Sequence, residues 1–151
     1  MSKKYKFLVL NGPNLNLLGI REKSIYGDFT LDDLIEKIYS NFDNRLDLVN
    51  FQSNSESDLI DRIHESYKSI DFIVINPAAY THTSIAIRDA LMAVSIPFIE
   101  VHISNIHKRE AFRHNSYLSD IAVGVICGFG TDGYVYAVES GINYLKNLEK
   151  R

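Results

Sequence analysis

His102 follows Glu100 by two residues in the segment Glu100-Val-His-Ile-Ser-Asn105, a spacing suited to acid–base chemistry. On a strand, residues i and i+2 leave the same face. A carboxylate so placed can fix the imidazole tautomer and favour its protonated form. The blander alternative is a strand-end histidine satisfied by a backbone carbonyl. Two further polar segments also follow apolar runs: Asn11-Gly-Pro-Asn14 and Asn76-Pro-Ala-Ala-Tyr-Thr-His82. Taken singly, such Asn, Ser and Thr residues more often cap helices and make turns. Three such segments on one rim would make a site. A fourth feature is the stretch from Gly12 to Phe29, about 18 residues with little periodicity, which is long for a loop without a function. Within it, about 19–28 reads as a lid carrying Arg21, Glu22, Lys23 and Tyr26, with Gly19 and Gly27 as hinges. A surface loop with a packed Tyr and a solvated Arg is the competing reading.

Short apolar runs and amphipathic stretches alternate around these segments. Phe7–Leu10, Leu48–Phe51, Phe72–Ile75, Phe98–Val101 and Ala122–Ile126 are predicted strands, most of them nearly continuous in apolarity, as strands covered on both faces should be. Helical stripes run through Leu31, Leu34, Ile35, Ile38, Tyr39 and Phe42, with Thr30 as N-cap and Asp33 three residues on. Leu59, Ile60, Ile63 and Tyr67 form a second stripe begun by Ser55. Ile85, Ile87, Ala90, Leu91 and Val94 form a third, capped by Thr83 or Thr81. Tyr134, Val138, Ile142, Leu145 and Leu148 give the last, and a weaker helical segment is expected between Lys108 and Arg113. Strict alternation implies one α/β domain over 1–151: a flavodoxin-like, doubly wound, five-stranded parallel sheet with helices on both faces. In such folds ligands bind beyond the carboxyl ends of the strands, where the polar segments fall.

Composition narrows the function. The net charge is −3 and the Lys and Arg residues are scattered, which argues against a nucleic-acid footprint. The apolar run after the basic N-terminus is too short for a signal peptide or a membrane span. Cys127 is the only cysteine, which suits a reducing compartment; cytoplasm is the expectation. It sits at an apolar strand and reads as an inert buried thiol. His102, His107 and His114 lack zinc-ligand spacing, so no metal is expected. Gly128-Phe-Gly-Thr-Asp-Gly133 fits a dinucleotide fingerprint, making a flavodoxin-like nucleotide-binding module one rival and a non-catalytic interaction module another. Only 18 residues follow Gly133, too few for a further strand with its ribose-binding acid. The glycines are better read as tight turns that pack the last helix.

The segments Asn11-Gly-Pro-Asn-Leu-Asn, Gly19-Ile-Arg-Glu, Tyr26-Gly and Phe51-Gln-Ser-Asn resemble those of the type II dehydroquinases (3-dehydroquinate dehydratases). So do Asn76-Pro-Ala-Ala-Tyr-Thr-His-Thr-Ser84, Arg88-Asp89, Glu100–Asn105, Arg109-Glu-Ala-Phe-Arg113 and Ser116-Tyr117. The likeness runs in order from about residue 7 to the last helix. Ser55 and Ser57 depart from it, standing where the family often has His and Gly.

The resemblance implies a cofactor-free lyase that converts 3-dehydroquinate to 3-dehydroshikimate through an enolate; quinate breakdown uses the same reaction, and the shikimate route to chorismate and the aromatic amino acids is the expected role of a stand-alone domain. It makes Tyr26 the base, a role for which its ordinary pKa of about 10 is too high unless a cation lowers it by roughly 1–3 units. Arg21 would supply that charge and Arg113 could reinforce it. Asn14 would hold the water or dipole facing the enolate oxygen, and His102, backed by Glu100, would be the general acid. The substrate's carboxylate would lie on the N–H groups of Ile103 and Ser104, with help from Asn76. Its hydroxyls would meet His82, Arg113 and Asp89, the last from a neighbouring subunit. The resemblance further implies a homo-oligomer, a dodecamer built from trimers, with no nucleic-acid or membrane partner. Arg109, His107 and His64 receive no role.

Overall fold

The computed structural model describes residues 3–20, 24, 28–43 and 45–151. Five strands form one parallel sheet: β1 (Tyr5–Asn11), β2 (Leu46–Gln52), β3 (Phe72–Asn76), β4 (Phe98–His102) and β5 (Gly124–Cys127). Their order is β2-β1-β3-β4-β5, with every neighbour parallel. This is the doubly wound flavodoxin-like order, whose direction of travel reverses between β1 and β3.

Among the described residues four α-helices cover the sheet: α1 (Leu31–Phe42), α2 (Glu56–Glu65), α3 (Ile85–Val94) and α4 (Asp132–Glu149). The two-residue period of the strands divides their side chains between two cores. Phe7, Val9, Phe72, Val74, Ile99 and Val101 point to α1 and α4, meeting Leu34, Ile38, Val138 and Ile142. Leu8, Leu10, Ile73, Ile75 and Phe98 point the other way, to Leu59 and Ile63 of α2 and Ile87, Leu91 and Val94 of α3. The central strands β3 and β4 are buried throughout, whereas the edge strands β2 and β5 are only partly covered. Burying one such aliphatic or aromatic side chain contributes roughly 1.5–3 kcal/mol, so these two layers dominate the stabilisation.

Local signals account for most helix starts. Thr30 accepts from the Asp33 N–H while the Asp33 side chain accepts from the Thr30 N–H, completing a capping box on α1. The Ser55 side chain caps α2 through the Asp58 N–H. The cap of α3 is Ser84, not Thr83 or Thr81: its buried hydroxyl accepts from the Ile87 N–H at 2.9 Å. Thr81 and Thr83 are spent on a 3-10 turn, Ala78–His82, and on its exit. The expected helix between Lys108 and Arg113 is instead two 3-10 turns, Ile106–Lys108 and Ala111–Arg113, parted by extended backbone at Arg109 and Glu110. Tyr67 lies beyond the end of α2 and is exposed, and Ile85 is exposed at the start of α3, so neither joins its stripe.

Candidate active site

The loops at the carboxyl ends of β1, β3 and β4 surround a cavity of about 140 Å³. It is lined by Asn14, Asn76, His82, His102, Ser104 and Arg113, among others. The register explains the convergence: Asn11 pairs with Asn76 and Ile75 with Glu100, so β1 and β3 end level and β4 runs one residue further.

Close approach of backbone holds the first two loops together. The Gly12 N–H donates to the Asn76 carbonyl at 2.8 Å. A Cβ on Gly12 would lie 2.4 Å from the Pro77 carbonyl oxygen, so only glycine fits. The Gln52 amide donates to the Gly12 carbonyl at 3.1 Å, and the Asn14 N–H donates to the Asn54 side-chain oxygen at 2.9 Å. Asn14 and Ala78, both on the cavity wall, have φ of 71° and 53°. Asn tolerates that left-handed region, whereas for Ala it stores strain of order 1 kcal/mol. Gly12→Ala should force these loops apart at a cost of about 1–3 kcal/mol. The melting temperature should then fall by about 2–12 °C, and an unchanged thermal melt would show that the contact is not constraining.

Beneath the cavity the Tyr134 hydroxyl donates to Asn11 Oδ1 at 2.6 Å and accepts from Asn76 Nδ2 at 2.9 Å. Asn76 Oδ1 takes the Ala78 N–H at 3.1 Å. The Asn76 amide is thereby locked, with one side-chain hydrogen still to offer. His82 sets Nδ1 against the Asn115 carbonyl at 2.7 Å, which leaves Nε2 available.

On β4, His102 Nε2 lies 2.5 Å from Glu100 Oε2. Glu100 is fully buried, and its other oxygen accepts from the hydroxyls of Ser116 at 2.9 Å and Ser119 at 2.8 Å. Burial pushes the Glu100 carboxyl up, but His102 and the two serines outweigh it and hold the group below the usual carboxylate range. Among the described residues His102 Nδ1 has no partner, and the imidazole lines the cavity. Immediately after β4, the N–H groups of Ile103 and Ser104 find no backbone acceptor among the described residues. Arg109 and Arg113 border the same space with Glu110 between them; Arg113 Nε donates to Glu110 at 3.1 Å. The wall is thus rich in donors and cations, suited to a small anionic ligand bearing hydroxyls, with the imidazoles of His82 and His102 against it.

The sequence matches the family model described as dehydroquinase class II over residues 5–142. The chain belongs to the class II dehydroquinase family. It is 59% identical over 150 residues to the 3-dehydroquinate dehydratase of Histophilus somni strain 2336, covering 99% of this chain and 100% of that one. The crystal structure of type II dehydroquinase from Butyrivibrio crossotus superposes with a TM-score of 0.89 at 48% identity, covering 93% of this chain and 99% of that one. The type II dehydroquinase of Propionibacterium acnes gives 0.86 at 43%, covering 96% and 98%.

Of the residues expected at a dehydroquinase site, Asn14, Asn76, His82, His102, Ile103, Ser104 and Arg113 line one cavity, and Glu100 stands directly behind His102. Asp89 does not join them; it is exposed on α3. Arg21 and Tyr26 lie outside the described residues. The ends of their loop are described: Gly19 has φ +88°, and a Cβ there would lie 2.8 Å from the Asp28 carbonyl oxygen, so the segment is pinched at its neck. Ser24 borders Ser104, Lys108 and Arg109.

His107 and His64 are exposed. Cys127 is only half-buried; burial and then the Glu100 charge push its thiol up. The rival glycine loop directs its N–H groups inward: Gly128 to the His102 carbonyl at 3.2 Å and Gly130 to the Ile103 carbonyl at 3.0 Å. Those bonds tie the loop to β4 and leave these two N–H groups unavailable to a pyrophosphate. Arg109, Ser116, Ser119 and Tyr134 were not assigned from sequence. A fully buried tyrosine requires a hydroxyl partner, and the Ser116/Ser119 spacing suits a turn that presents two hydroxyls together.

Proposed function

We propose that this chain dehydrates 3-dehydroquinate to 3-dehydroshikimate, and that the cavity at the ends of β1, β3 and β4 is where it does so. The observation that carries the reading is the buried Glu100–His102 pair, whose second imidazole nitrogen has no partner among the described residues and stands at the cavity beside the N–H groups of Ile103 and Ser104.

The reaction removes a proton from the carbon next to a ketone and expels a hydroxyl as water. It therefore needs a base, a partner for the enolate oxygen and an acid. Tyr26, made more acidic by Arg21, takes the proton. Asn14 holds the water or dipole that faces the enolate oxygen. His102 protonates the leaving hydroxyl, with Glu100 stabilising the imidazolium and fixing its tautomer. The substrate carboxylate rests on the Ile103 and Ser104 N–H groups and Asn76, while His82 and Arg113 take hydroxyls. Arg109 adds positive charge at the same wall. Residues 19–28 act as the lid, closing over a single catalytic domain. Asp89, turned outward on α3, serves the site of a neighbouring subunit in a dodecamer built from trimers. The role that fits is cytoplasmic aromatic amino-acid biosynthesis by the shikimate route.

The direct test is to add 3-dehydroquinate and follow the ultraviolet absorbance of the conjugated enone product. No lysine forms an imine in this scheme, so borohydride with substrate should leave activity intact. Absence of the enone would overturn the function, and borohydride trapping would overturn the mechanism.

A further inference from the structure

Glu100 can orient His102 only if it is itself oriented, and the groups that do so come from a loop between Arg113 and β5. Ser116 and Ser119 both donate to Glu100 Oε1, at 2.9 and 2.8 Å, opposite the oxygen that faces His102. Ser116 Oγ also accepts from the N–H groups of Leu118 and Ser119, at 3.0 and 3.2 Å. Its hydroxyl therefore closes the turn that delivers Ser119. The loop is fastened from outside: Arg88 on α3 donates to the Tyr117 carbonyl at 2.7 Å and pairs with the Asp120 carboxylate. From inside, the Tyr117 N–H donates to the Thr81 carbonyl at 3.0 Å, and the Asn115 carbonyl engages His82.

We propose that Ser116 and Ser119 are positioning residues for the proton-donating step: their hydroxyls anchor Glu100 so that it holds His102 in place. This inference rests on the assignment of His102 as the acid. Two donors on one oxygen delocalise the carboxylate's charge away from the imidazole and prevent rotation about the last side-chain bond. Without them the carboxylate becomes more basic, and the Glu100–His102 pair holds its proton more tightly. Among the described residues the other titratable groups that face the pair are Cys127, level with His102 on β5, and across the cavity His82, Arg109 and Arg113. None of them donates to Glu100.

Ser119 gives the cleaner test because Ser116 also builds the turn. Ser119→Ala should lower kcat about 10-fold with KM within twofold of the parent, since the serine touches Glu100 and not substrate. The alkaline limb of kcat/KM should move up by on the order of one pH unit. Ser119→Thr, which keeps a hydroxyl, should restore both; Ser119→Cys, a near-isostere with a weak donor, should behave like the alanine variant and serves if that one fails to fold. A loss of kcat with no shift of the limb, or no recovery with threonine, would reduce the serines to structural roles and overturn the proposal. So would parental kinetics in Ser119→Ala and Ser119→Cys while His102→Gln is inactive. Full activity in His102→Gln would remove the acid assignment and this inference with it.

Discussion

Replacing His102 with glutamine should lower kcat by about 10²–10⁴-fold, the range for removing a positioned general acid. Glutamine is chosen over alanine because Glu100 is fully buried and ionised. An amide can still donate to that carboxylate, whereas truncation would leave the charge with only its two serines, a situation that costs about 3–5 kcal/mol. The loss should appear in kcat and kcat/KM alike, because His102 acts on charge that develops only as the hydroxyl departs. Substrate affinity by calorimetry should stay near that of the parent. The scheme makes a sharper demand as well. With the base intact, the variant should still exchange the substrate's acidic hydrogen with deuterated water, and NMR would show exchange outrunning product formation. A variant within threefold of parental kcat would remove His102 from the chemistry.

The parts of this site that were legible in the sequence are those set by strand periodicity. Glu100 and His102 share a face because they are two apart on β4, and the polar segments converge because they follow parallel strands that end within one residue of each other. Strands β1 and β3 declared themselves by the unbroken apolar runs Phe7–Leu10 and Phe72–Ile75, for they are covered on both sides. Contacts made by chain returning from a distance were not legible. Ser119 meets Glu100 across 19 residues, and Asn76 meets Tyr134 across 58. Nothing in the local pattern encodes such approaches. The 3-10 turns escaped for another reason, since three to five residues are too few to establish a period. The cap of α3 was placed at Thr83 or Thr81, one or three residues early, because Thr and Ser are chemically equivalent candidates; extended backbone at Ser84 lets its hydroxyl reach the Ile87 N–H.

Tyr26→Phe should be the more damaging change, about 10³–10⁴-fold in kcat, and it should abolish exchange as well as elimination. The variant keeps the ring, so the fold and substrate binding should persist while the oxygen that accepts the proton is gone. A phenol with its ordinary pKa of about 10 is ionised in only about one molecule in a thousand at neutral pH. In the proposed scheme the base therefore works only with a cation close by, and Arg21, five residues away in sequence, is assigned to supply it. Gly19 and Asp28, the described ends of that segment, lie in close contact, and Ser24 lines a surface pocket with Ser104 and Arg109. The exchange measurement separates the two roles. The His102 variant should lose elimination and keep exchange, whereas the Tyr26 variant should lose both. Parental exchange in Tyr26→Phe would place the base elsewhere on the cavity wall, where His82 would be the group to test next.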